Sequence, residues 1–125
     1  MNTNEIRTLI PCYDPTVMVP DNWEGTPLDV MLYDAPDGLP HYEDRIWLLS
    51  HTEFVDITIL AELAIWCVER LKEITTDDFA RLEEWVKRGD NANIAYVAAR
   101  ELAKANGGDW KPAADKLTEI LRGAP

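Results

Sequence analysis

The chain has two histidines, two cysteines and a single serine, and the spacing of these residues limits the chemistry open to it. His51-x-Glu53 follows the order of the zinc deaminase signature, in which a His ligand precedes a Glu proton shuttle. That chemistry also needs a later Pro-Cys-x-x-Cys. Here Pro11-Cys12 comes before the histidine, and Cys67 stands alone 55 positions after Cys12. The pair therefore reads as part of a helix start. Ser50-His51-Thr52-Glu53 has the S-x-x-E form of a capping box.

His41 and His51, with Glu43, Asp44, Glu53 and Asp56 nearby, outline a carboxylate-rich metal site that would make the chain a metal-dependent enzyme. A His-x9-His spacing matches no metal motif, and acids are abundant here by composition alone. Cys12 has no local feature that would lower its pKa for nucleophilic work. The sequence contains no G-x-S-x-G, P-loop or G-x-G-x-x-G pattern. No catalytic residue, no metal ligand and no cofactor is expected, and the chain is read as a non-enzyme.

The outstanding pattern is acidic and aromatic. Thr8 to Asp44 holds eight acids and no base: Asp14, Asp21, Glu24, Asp29, Asp34, Asp37, Glu43 and Asp44. Tyr13, Trp23, Tyr33 and Tyr42 are interleaved with them. Unpaired carboxylates create a negative field that speeds encounter with a basic partner. Tyr and Trp are the side chains that most often anchor interfaces. The expected partner-binding residues are Asp14, Asp21, Trp23, Glu24, Asp29, Tyr33, Asp34, Asp37, Tyr42, Glu43 and Asp44. The expected partner is a protein with a basic surface, such as a nucleic-acid-binding site. Direct binding to nucleic acid or to an anionic membrane is excluded, because such binding draws on Lys and Arg.

The whole chain of 125 residues carries a net charge of −11. Residues 1–62 hold 12 acids against Arg7 and Arg45, a charge of −10. Residues 63–125 hold 11 acids and 10 bases, a charge of −1. With 46% hydrophobic and 28% charged residues, the composition is that of a globular chain, and the length suits one domain over 1–125. The first residues lack a basic segment followed by an apolar one, so no signal peptide is expected. The longest apolar run, Phe54 to Val68, is interrupted by Asp56, Thr58 and Glu62 and is too polar to span a membrane. A cytoplasmic location with reduced thiols follows.

The elements that must position these residues differ between the halves. In 51–125, Ile57, Leu60, Ala64, Cys67, Leu71 and Ile74 repeat at helical spacing, with Ile59, Leu63 and Trp66 as a second stripe. Thr75-Thr76-Asp77-Asp78 opens a second helix with Phe79, Leu82, Trp85 and Val86 inward, stopped by Gly89. Asn91 caps a third, with Ile94, Val97, Ala98 and Leu102 inward, ended by Asn106-Gly107-Gly108. Asp109 caps a fourth, whose core side holds Trp110, Ala113, Leu117, Ile120 and Leu121. In 1–50, six of the eight prolines oppose helix, so extended segments joined by turns are expected. Ile6–Ile10 and Leu28–Tyr33 alternate like short strands, and Arg45–Leu49 fits a third strand or a short helix.

The expected fold is mainly α. A C-terminal bundle of about four helices is packed by an acidic, Pro-rich N-terminal region, and two or three short strands there would make the fold α+β. In size, acidity and lack of catalytic motifs the chain resembles inhibitors such as phage anti-defence and toxin immunity proteins, a likeness of composition. The expected function is an acidic protein-binding module that inhibits a partner by occupying its basic site. A second expectation is a structural or adaptor subunit that associates through apolar helix faces at Trp47, Trp66 or Trp85.

Overall fold

The computed structural model describes residues 1–9, 14–51, 53–89 and 93–123. Seven α-helices are present among them: α1 (Thr3–Leu9), α2 (Pro27–Leu32), α3 (Tyr42–Leu49), α4 (Ile57–Ile74), α5 (Ala80–Arg88), α6 (Asn93–Ala105) and α7 (Lys111–Gly123). A 3-10 turn, Pro15–Val17, lies between α1 and α2. The mainly helical class and the four-helix C-terminal part are as the sequence periodicity requires. Cys12, Tyr13 and Asn91 lie outside the described residues.

The strand expectations at Ile6–Ile10 and Leu28–Tyr33 are overturned for the described residues, and Arg45–Leu49 takes the short-helix alternative. Ile6–Leu9 belongs to α1, Leu28–Leu32 to α2 and Arg45–Leu49 to α3. Local capping favours the helix at α1 and α2, and first-turn acids favour it at α3. Asn2 Oδ1 accepts the Glu5 N–H at 2.9 Å and starts α1. Thr26 and Asp29 form a reciprocal capping box around Pro27, whose fixed φ suits a first helical position. Glu43 and Asp44 occupy the first turn of α3, where the helix dipole favours negative charge. Among the described residues the β pairing is an isolated antiparallel bridge, Asn2 to Glu24. Buried Thr3 supports it: its hydroxyl lies 2.9 Å from the Pro20 carbonyl and accepts the Trp23 N–H at 2.9 Å.

The capping box at Ser50 is also overturned. Ser50 closes α3, its Oγ donating to the Ile46 carbonyl at 2.7 Å. The cap of α4 is Asp56, whose Oδ1 accepts the Thr58 N–H at 2.8 Å. The opening of α5 shifts likewise: Asp78 accepts the Ala80 N–H at 2.9 Å, and the helix begins there. Asn106-Gly107-Gly108 ends α6 as expected. Gly107 is left-handed (φ 69°) and the Gly108 N–H reaches back to the Ala103 carbonyl at 2.7 Å. Asp109 caps α7 through the Lys111 N–H at 2.9 Å.

The α4 helix is central. It packs most extensively on α6 and also meets α5 and α7. Its Leu60, Leu63, Ala64, Cys67, Val68 and Leu71 are buried. Ala95, Ala98 and Ala99 of α6 are fully buried, and small side chains there let the two helices approach closely. One exposed residue corrects the inward set of α5: Trp85 is 47% exposed, while Val86 is buried. The front helices α2 and α3 sit on α7, and α3 also meets α6. Ile6, Val30, Ile46, Leu48 and Leu49 join the same core as Leu63 and Leu117. The acidic segment is thus fixed to the bundle at α2 and α3, and the loop between them is carried on a rigid base.

Candidate protein-docking surface

The expected partner-binding residues fall into two groups with different work to do. The first group surrounds the N-terminal pairing. Asp14 is exposed and caps the 3-10 turn, accepting the Thr16 N–H at 3.0 Å and its hydroxyl at 2.7 Å. These bonds hold its carboxyl below the ordinary range, with Arg7 adding a little. Asp21 pairs with Arg7 at 2.9 Å. Trp23 is half-buried against the core, Glu24 is exposed beside Asn2, and Asp29 accepts the Thr26 N–H at 2.9 Å. Several of these side chains are therefore occupied in building the fold.

The second group lies on and between α2 and α3. Asp34, Asp37 and Glu43 are exposed, and Tyr33 and Tyr42 are half-buried. His41 begins α3 in a left-handed conformation (φ 49°). Its Nε2 is 2.7 Å from Asp37 Oδ2, and its Nδ1 is 3.7 Å from Asp44 Oδ2. The Asp37 carboxyl is held below its ordinary value, first by the Leu39 N–H and then by His41. Glu43 accepts a hydrogen bond from the Tyr96 hydroxyl of α6 at 3.2 Å. Burial, and then the Glu43 charge, raise the Tyr96 phenol above its ordinary value.

Two leucines absent from the sequence expectation stand among these acids. Leu32 is 50% exposed and Leu39 is 59% exposed. They border a groove of about 460 Å³ whose lining includes Tyr33, Asp34, Tyr42 and Arg45. Apolar side chains ringed by polar ones are the surface form of interaction sites. No periodicity marks them, because Leu39 belongs to a loop.

Arg45 is the unusual member. It is only 4% exposed, and its Nη1 donates to the Met31 carbonyl at 3.0 Å. Its Nε has no hydrogen-bond partner among the described residues. Burial lowers its pKa, while nearby Asp34 and Asp37 act the other way.

Among the described residues, the lysines and arginines of the second half make many ion pairs within that half: Arg70 with Glu73, Lys72 and Lys87 with Glu83, Arg88 with Glu84, Lys111 with Asp115, and Lys116 with Glu119. In the front half Arg7 pairs with Asp21 and His41 with Asp37, and Arg122 of α7 shares a cleft with Leu32 and Tyr42.

The residues named for other functions are also placed. His41 and His51 lie at opposite ends of α3. The His51 Nδ1 is 2.9 Å from the Leu48 carbonyl, and its ring meets Trp47 edge-on at 4.7 Å. Among the described residues no group of three or more His, Cys, Asp or Glu side chains is placed to hold a metal ion. Trp47 is half-buried. Trp66 lines a cleft of about 710 Å³ between α4, α6 and α7, with Arg70 at 5.2 Å and Lys116 at 5.9 Å from its ring. No described helix is long and apolar enough to cross a membrane.

Comparison with protein-family models, curated proteins and solved structures finds no match for this chain.

Proposed function

We propose that this chain is an acidic protein-binding module that docks on a basic surface of a partner protein and blocks it, in the manner of phage anti-defence or toxin-immunity inhibitors. The observation that carries the reading is the surface at residues 32–44. There, exposed Leu32 and Leu39 and half-buried Tyr33 and Tyr42 stand among Asp34, Asp37 and Glu43. Apolar and aromatic anchors supply affinity, and the surrounding carboxylates supply steering and selectivity. The neighbouring helices hold Leu32 and Tyr42 in place, which limits the ordering entropy lost there on docking. No cofactor enters. A free buried thiol at Cys67 suits a reducing cytoplasm.

Affinity capture with the immobilised chain, from the cells that express it, tests the reading. The wild type retains a basic protein at low salt and releases it at high salt. The double variant Asp34→Lys, Glu43→Lys retains far less at either. Retention that is indifferent to salt and to charge reversal overturns the proposal. Mapping of the bound partner to Trp66 or Trp85 would move the function to the adaptor reading.

A further inference from the structure

We propose that the groove between α2 and α3 receives one extended segment of the partner, with a lysine or arginine side chain along the groove and a main-chain carbonyl on Arg45. This rests on the docking reading above and specifies what is docked.

Three features of the groove converge on this ligand. Its wall is apolar and aromatic, from Leu32, Tyr33, Leu39 and Tyr42. A basic side chain has an apolar stem of three or four carbons that lies well on such a wall. Its lining carries one carboxylate, Asp34, and Asp37, which pairs with His41, is close enough to act on Arg45. A cationic head group ends there. Its lining also includes a nearly buried guanidinium whose Nε lacks an acceptor.

The third feature is independent of the acids. Buried N–H groups without a partner are rare in folded proteins, and their desolvation is offset only when an acceptor arrives. An extended peptide brings carbonyl oxygens at a regular interval. An acidic ligand would supply acceptors too, but it would face Asp34, Asp37 and a chain of net charge −11. A simple organic cation would satisfy Asp34 and leave Nε as it is. A peptide segment with a basic side chain meets all three features.

Nε is closed to solvent in the unbound protein. The loop over residues 33–41 forms one wall and is held by short-range bonds. Gly38 N–H reaches Ala35 O at 3.0 Å, and Leu39 N–H reaches Asp37 Oδ1 at 2.9 Å. That wall is the part able to yield as the segment enters, since α2 and α3 are anchored on α7.

The test is a nuclear magnetic resonance titration of ¹⁵N-labelled full-length protein with the blocked peptide acetyl-Ala-Leu-Lys-Leu-Ala-amide. Two counterparts carry norleucine or glutamate in place of the lysine. The lysine peptide is expected to shift the amides of Leu32 and Leu39 and the Nε–H resonance of Arg45 together. Norleucine should bind about tenfold more weakly, and glutamate more weakly still. Asp34→Asn should weaken the lysine peptide by a similar factor. Leu39→Ser, at a side chain too exposed to endanger the fold, should do the same without changing the charge.

Equal binding of the lysine and norleucine peptides overturns the proposal. So does an unmoved Arg45 Nε–H at saturation, or no groove shift at millimolar peptide. Shifts confined to the Asp14–Asp29 region would also overturn it while leaving the wider docking reading intact. Groove shifts that grow with protein concentration alone would assign the groove to a second copy of the chain, and the basic-partner segment would be withdrawn.

Discussion

Gly25→Ala is the substitution that tests most sharply how the acidic segment is joined to the bundle. A Cβ at this position would collide with Trp23 Cζ2 and would lie 2.7 Å from both Trp23 Cε2 and Asp29 Oδ2. No side chain can be accommodated there unless the indole or the carboxylate moves. The indole packs on the core, and the carboxylate is half of the capping box that starts α2. Losing the cap costs about 1 kcal/mol, and overpacking a well-filled site costs about 1–3 kcal/mol. A loss of about 2–4 kcal/mol is therefore expected, a large share of the 5–15 kcal/mol typical of domains. The corresponding fall in Tm is about 10 °C for a chain of this size.

Thermal and urea unfolding, followed by circular dichroism and tryptophan fluorescence, measure it. Two further variants identify the cause. Gly38 has φ +74° and open space around it, so Gly38→Ala carries only the left-handed strain of about 1 kcal/mol. Asp29→Ala removes the cap and the contact with Asp29 Oδ2, leaving the contact with the Trp23 indole. The double variant Gly25→Ala, Asp29→Ala should therefore lose less than the sum of the two singles. A Gly25→Ala protein within about 0.5 kcal/mol of wild type, or no costlier than Gly38→Ala, would refute the packing argued here.

Asp56→Ala should lose about 1 kcal/mol by uncapping α4, and Ser50→Ala about half of that, because the Ile46 carbonyl keeps the Ser50 N–H at 2.9 Å; the reverse order in urea unfolding would restore Ser50 as the cap. Cys67 is fully buried, and burial pushes its thiol up to about 12. In a Cys12→Ser background, disulfide reagents should therefore label it only as fast as the protein opens, and labelling of the folded protein at the rate of a free thiol would contradict its placement. Thr58 N–H and hydroxyl hold the Asp56 carboxyl below its ordinary 3.8, so the folded value is the lower one. Its stabilisation is present above that ordinary value and is lost as pH falls through the folded value. The stability gap between wild type and Asp56→Asn should accordingly shrink on acidification, and a gap that widens would contradict the sign.

The C-terminal helices were legible because each buries a repeating stripe long enough for the helical period to show. Leu60, Ala64, Cys67 and Leu71 are all inside α4. The glycines at 107 and 108 end α6 where their freedom suggests. The front helices were not legible by the same signal. The six residues of α2 span less than two turns, too few for period to separate helix from strand. Its start was nonetheless written in Thr26-Pro27-Leu28-Asp29, a capping pattern that outweighs the β-like alternation after it. Ser50-His51-Thr52-Glu53 shows the opposite failure, since a sequence can carry the capping pattern while its serine bonds backward to close the preceding helix. In the candidate surface, the acid–aromatic composition was plain, but the division of labour was not. Asp29 and Trp23 could be recognised as structural only once Gly25 was seen beneath them. Leu32 and Leu39 stood out by their exposure and Arg45 by its burial, which depend on how the short front helices and the loop between them pack.

The association rate of the captured partner with this chain, measured across a range of ionic strength, tests the docking claim most directly. At physiological salt, charges further apart than about 8 Å are largely screened, so steering by the front carboxylates should weaken steeply as salt rises. Wild type is expected to associate ten-fold or more faster at low salt than at high salt, in line with roughly 10–1000-fold steering effects. Asp34→Lys, Glu43→Lys should flatten that dependence while changing dissociation less. A rate that stays constant with salt, or an unchanged slope in the reversed variant, would contradict the claim that these carboxylates guide the chain to its partner.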